Sequence, residues 1–166
     1  MRVVGIATSV ADKTATVSFV VLEHRDDVDW SMGEVTITDR FEVKVDEAPT
    51  AEQLGDLSKR VEAHVHSLAV EGVAVRRADV PARPSKKEGP QFRLLLEGAI
   101  AATSRRLVDS TVIRNGRSCA SAYESGSSKA AIDELAAALV GEKKYIEATA
   151  AALSLLRPQL HARRTA

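Results

Sequence analysis

The apolar positions change their period along the chain, and each change marks an element. Val3 to Ile6 is an unbroken apolar run, the pattern of a central strand covered on both faces. From Thr14 onward the residues alternate, with Ala15, Val17, Phe19 and Val21 on one side and Thr14, Thr16 and Ser18 on the other. That is a half-buried strand. After a polar stretch over 24–33, a third strand alternates at Val35 and Ile37, breaks at Asp39-Arg40, and resumes at Phe41, Val43 and Val45. Three strands in succession predict an antiparallel meander.

The spacing then becomes helical. Leu54, Leu57, Val61, Val65 and Leu68 follow the three-and-four rhythm of an amphipathic helix, with Thr50 as its N-cap and Gln53 completing a capping box. Gly72 is expected to end this helix ahead of a short buried strand, Val73-Ala74-Val75. A loop rich in Pro and Lys leads to a second helix over about 91–103, opened by Pro90. Its Leu94, Leu95, Leu96, Ala99 and Ile100 predict burial on more than one side. A fifth strand falls within 107–113, and 115–127 reads as polar and flexible. Ser127 or Ser128 caps a third helix that runs to Val140 and closes on Gly141. A last helix covers about 142–156, with Pro158 at the start of a basic tail.

Right-handed crossovers through the helices make the first, fourth and fifth strands parallel and give the strand order 3-2-1-4-5. The expected fold is α/β: a five-stranded mixed sheet with helices on both faces, one domain over 1–157 and a flexible basic tail over 158–166.

Charge narrows the choice of partner. Twenty-three basic residues balance 23 acidic ones, so no global field draws the chain to nucleic acid or membrane, and any such attraction is local. Cys119 is alone, which excludes an intrachain disulfide and suggests a reducing compartment. The N-terminal apolar run is too short and too β-branched for a signal peptide, and no stretch approaches the ~18 apolar residues of a membrane span. A cytoplasmic protein without membrane contact is the expectation.

The opening strand Arg2-Val3-Val4-Gly5-Ile6-Ala7, followed by a hairpin, resembles that of the RNase H-like superfamily in its Holliday-junction resolvase branch. The likeness covers roughly residues 1–156. The stretch from Val73-Ala74-Val75-Arg76-Arg77 through Glu97-Gly98-Ala99-Ile100 is similar to a small bacterial family of this fold. The resemblance implies two divalent metals held by carboxylates at the end of the first strand, at the end of the fourth, and on the last helix. Here those places fall on Ala7, on Arg76 or Arg77, and on Glu147 with Ala150, so only Glu147 keeps an acid. One carboxylate cannot hold two hard cations, and a nearby guanidinium opposes them further. The departure from that pattern therefore predicts no metal, no cofactor and no metal-dependent catalysis. A fallback nuclease would rest on Glu97, Glu147 and a relocated Asp such as Asp12 or Asp79.

Glu97 is the single charge between Leu94 and Ala102. Either it pairs with Arg93 one turn earlier, or it is a carboxylate held near Arg76 and Arg77 in a pocket. From Arg76 to Arg93 six basic residues (Arg76, Arg77, Arg83, Lys86, Lys87, Arg93) face two acids, Asp79 and Glu88. This segment leaves the C-terminal end of a parallel strand, where open α/β sheets place ligands. It reads as a solvated loop or as a phosphate-contacting surface without sequence readout, since only Phe92 is near for base stacking.

The segment from Glu23 to Glu34 has the opposite sign, with five acids against Arg25. It lacks calcium-loop spacing and reads as a hairpin tip, with Trp30 as a protein anchor. Pairing of acidic tip with basic loop between subunits would favour a homodimer. His64 and His66, two apart on a helix, cannot chelate one metal. Arg114 and Arg117 flank Cys119, yet no motif places a His beside it.

Three readings follow. The leading one is a catalytically silent RNase H-like module for binding or scaffolding, with nucleic acid as candidate ligand. The second is the divergent nuclease. The third is a protein-interaction subunit whose partner the sequence does not name, using Trp30 and the second helix.

Overall fold

The computed structural model describes residues 1–11, 14–48, 50–79 and 88–165. Its sheet holds five strands in the expected order 3-2-1-4-5. β1 (Arg2–Ala11) pairs antiparallel with β2 (Thr14–Glu23), and β2 in turn with β3 (Thr36–Val45). On its other edge β1 runs parallel to β4 (Gly72–Arg76), which runs parallel to β5 (Thr111–Arg114). The break at Asp39-Arg40 is a register shift opposite Val21 and Leu22. The shift flips the pleat, so Ile37 packs with one core and Phe41, Val43 and Val45 with the other.

Two layers of helix cover the sheet. α1 (Thr50–Leu68) and α2 (Glu88–Leu107) lie on one face, where Leu57, Val61, Val65, Leu96 and Ile100 pack on Val4, Ile6, Phe19 and Val75. α3 (Gly116–Tyr123), α4 (Lys129–Val140) and α5 (Ile146–Thr165) lie on the other, against Val3, Ala7, Val20 and Leu22. Contact between α5 and β1 is very close. A Cβ added to Gly5 would sit 1.9 Å from the Ala148 carbonyl oxygen and 2.8 Å from the Ala152 nitrogen. Glycine at the centre of β1 and alanines one helical turn apart on α5 are what allow the approach.

Several expectations change. α1 ends at Leu68, where Ala69 takes a left-handed φ of 49°, and Gly72 opens β4 instead. Gln53 closes no capping box with Thr50; its Nε2 donates to the Asp46 carbonyl at 2.8 Å and ties α1 to the end of β3. α2 is not buried on several sides, because Leu94 and Leu95 are 48% and 50% exposed. The polar stretch 115–127 contains α3, capped by the Asn115 side chain accepting from the Ser118 N–H, with Cys119, Ala120 and Tyr123 buried. The last helix does not stop before Pro158 but runs through it to Thr165. A proline at that place leaves the carbonyl of residue 154 without its helical donor. The Arg114 guanidinium from β5 takes over, donating to the Ser154 carbonyl at 2.5 Å and to its hydroxyl at 3.1 Å. The Ser128 cap and the left-handed Gly141 of α4 are as expected.

Candidate functional site: two arginines beside a cleft

β4 ends beside the middle of β1, with Ala7 paired to Arg76. Alternation along the two strands sends both side chains toward the α4–α5 layer. Arg76 is only 1% exposed, and among the described residues neither terminal nitrogen of its guanidinium has a hydrogen-bond partner. Its nearest acid is Asp133 of α4, at 3.7 Å, whose Oδ1 also lacks a hydrogen bond. The guanidinium fits there because Gly116 opens α3: a Cβ on that residue would lie 2.5 Å from Arg76 Nη2. Burial pushes the Asp133 carboxyl above its ordinary range, although Arg76 and Lys129 pull the other way.

Across the strand ends the chemistry is better satisfied. Arg93 of α2 donates from Nε to Glu97 Oε1 at 2.7 Å and from Nη2 to Glu147 Oε2 at 2.9 Å. Glu97 is on α2 and Glu147 opens α5, so one guanidinium joins both helical layers over the edge of the sheet. Glu97 also accepts from the Ala78 N–H, at 2.9 and 3.0 Å to its two oxygens. Burial raises its carboxyl above the ordinary range; Arg93 and the Ala78 N–H oppose the rise without cancelling it. Both sequence readings of Glu97 thus meet in one group, buried and paired to Arg93.

Beside this pair lies a cleft of about 580 Å³ lined by Ala7, Thr8, Ser9, Ser18, Glu42, Arg93, Lys143, Lys144, Ile146 and Glu147. Lys144 is engaged by Glu42 at 2.8 Å. Thr8 is 1% exposed and its hydroxyl has no hydrogen-bond partner.

The basic residues expected to contact phosphate are therefore divided. Arg76 is inside the protein, Arg93 is held by two acids, and Arg77 is half-buried at the end of β4. Arg83, Lys86 and Lys87 lie outside the described residues, as does Asp12. Asp79 accepts from the Gly116 N–H at 3.0 Å and pairs with Lys129 at 3.3 Å. Burial would raise its carboxyl, but these partners and Arg76 hold it below the ordinary range. Ala150 is fully buried in the α5 core. Trp30 is half-buried rather than an exposed anchor, stacked on His24 at 5.4 Å and edge-on to Tyr123 at 6.0 Å. His64 packs on Phe41 at 4.6 Å, and Cys119 is buried.

Sequence reasoning missed Asp133, Thr8 and Lys143. Only Asp133 carried a signal, its place four residues after Lys129 on a helix face.

These residues do not suit a pair of divalent cations. Such a centre needs several free carboxylate oxygens around each ion. Here a methyl group on β1 stands beside the buried guanidinium that ends β4, and a second guanidinium engages one oxygen each of Glu97 and Glu147. Among the described residues no three His, Cys, Asp or Glu side chains form a group able to hold a metal ion, and no helix is long and apolar enough to cross a membrane.

No protein-family model matches the chain, and no curated protein matches it by sequence. Solved structures do. Thermus thermophilus RuvC superposes with a TM-score of 0.66 at 17% identity, covering 99% of this chain and 97% of that one. T. thermophilus RuvC in complex with a Holliday junction substrate gives 0.68 at 18%, covering 99% and 96%. The yeast mitochondrial Holliday junction resolvase Ydc2 gives 0.57 at 13%, covering 98% and 83%. The strand order, the crossing helices and the near-complete overlap are those of the RuvC resolvases, so the chain has the RNase H-like fold.

Proposed function

We propose that this chain is a nucleic-acid-binding module that holds the phosphate backbone without cleaving it. The observation that carries the reading is the pairing of Ala7 with Arg76 at the end of β4, with Arg93 already clamped by Glu97 and Glu147. Guanidinium groups at that place oppose retention of magnesium, which leaves phosphate contact to the surrounding basic residues. One structural neighbour was solved with a Holliday junction, which makes branched DNA the first ligand to try. Contacts to phosphate fall to Arg77, Arg83, Lys86, Lys87 and the exposed Lys143, with Arg93 on the cleft wall and Arg76 buried at the end of β4. They carry no base readout, so affinity follows backbone geometry and salt.

The test is fluorescence anisotropy of the full chain with a four-way junction, a linear duplex and a single strand between about 50 and 200 mM salt. Binding that falls log-linearly with salt, with a slope reduced by about one per lysine in Lys86→Glu and Lys87→Glu, supports the reading. Absent or salt-insensitive binding removes it. A second reading, a protein-contact surface on α2, is favoured by the exposure of Leu94 and Leu95. Sedimentation of the wild type against Leu94→Glu with Leu95→Glu decides whether that face joins two copies.

A further inference from the structure

We propose that Arg93 is the resident cation of this cleft: its guanidinium permanently fills the place between Glu97 and Glu147 that a divalent cation would otherwise take. The cleft is then a latent metal site that opens only when that side chain is removed.

Glu97 and Glu147 come from different helical layers, and a single group faces both, through Nε at 2.7 Å and Nη2 at 2.9 Å. Glu97 is 1% exposed, so its charge needs a counter-ion on the spot. Thr8 lines the same cleft as Arg93 and Glu147, and its buried hydroxyl has no hydrogen-bond partner among the described residues. Two carboxylates and a hydroxyl are hard oxygen ligands, the set that magnesium and manganese prefer. Arg93 denies them to an ion twice over, by engaging one oxygen of each carboxylate and by placing a positive charge beside them. Arg76 holds Asp133 at 3.7 Å on the other flank, so that acid adds nothing to the set.

This inference goes beyond nucleic-acid binding and does not need it, because ion binding is read with no nucleic acid present. The experiment titrates Mn²⁺ into the full chain, followed by calorimetry and by loss of the free-ion paramagnetic resonance signal. Wild type is expected to show no saturable site. Arg93→Met is expected to acquire one with Kd on the order of 0.1–1 mM. Adding Glu147→Gln to Arg93→Met should weaken it at least about tenfold. Arg93→Gln, whose amide still donates to Glu97, gives the same readout if Arg93→Met does not fold. Saturable Mn²⁺ binding by wild type that Glu147→Gln abolishes overturns the proposal, and so does a folded Arg93 variant that acquires no site.

Discussion

Arg93 and Arg76 stand on opposite layers of the same strand ends, and the fold treats them differently. Arg93 is partly exposed and bonded to two carboxylates at 2.7 and 2.9 Å. Arg76 is almost wholly enclosed, with one acid at 3.7 Å and no hydrogen bond from its terminal nitrogens. A buried charge that is paired and hydrogen-bonded holds structure together, whereas one paired without hydrogen bonds contributes little against its desolvation. One arginine therefore acts as a bolt between layers. The other is a buried positive charge held by a single, longer ion pair.

The largest blow to the bolt comes from behind it. Gly5→Ala drives a Cβ into the Ala148 carbonyl and forces α5 away from β1, carrying Glu147 with it. Chemical unfolding should show a loss of more than about 4 kcal/mol. Next is Arg93→Met, which leaves the buried Glu97 charge with only the Ala78 N–H and should lose about 3 kcal/mol. Arg76→Met should fall within about 1 kcal/mol of wild type, since the weak pair it gives up is offset by releasing two unbonded nitrogens. Equal losses from the two methionine variants would break the comparison.

The smallest effect is a pH slope. Burial raises the folded-state Asp133 carboxyl above its unfolded value. The stability it lends is complete below about pH 4 and is lost as pH rises through the elevated folded value. Urea unfolding from about pH 4 to 7 should show wild type declining relative to Asp133→Asn as pH rises. A flat or opposite difference would mean that Arg76, not burial, governs this acid.

The scaffold was legible in the sequence because its signals are local. Period-two and period-3.6 runs mark the strands and α1, and Ser128 with Gly141 brackets α4. The handedness of crossovers then leaves few strand orders. What the sequence concealed depends on distant partners. α3 buries small residues, Cys119 and Ala120, in place of a leucine stripe. Pro158 continues a helix because Arg114, from a strand, satisfies the freed Ser154 carbonyl. Leu94 and Leu95 look like core, yet they are about half exposed on α2. Of the site, the neighbours Ala7 and Arg76 and the pair Arg93–Glu97 could be read in advance. Asp133 opposite Arg76, and Glu147 closing the clamp on Arg93, could not, because a third layer supplies them.

The account rests on guanidinium groups standing where phosphodiester chemistry would need metal. The most direct measurement incubates the full chain with a labelled four-way junction, in millimolar Mg²⁺ or Mn²⁺, at protein concentrations where the junction is bound. The junction should stay intact in the complex and come apart only with salt. Cut strands from wild-type protein, disappearing in Glu147→Gln, would contradict it.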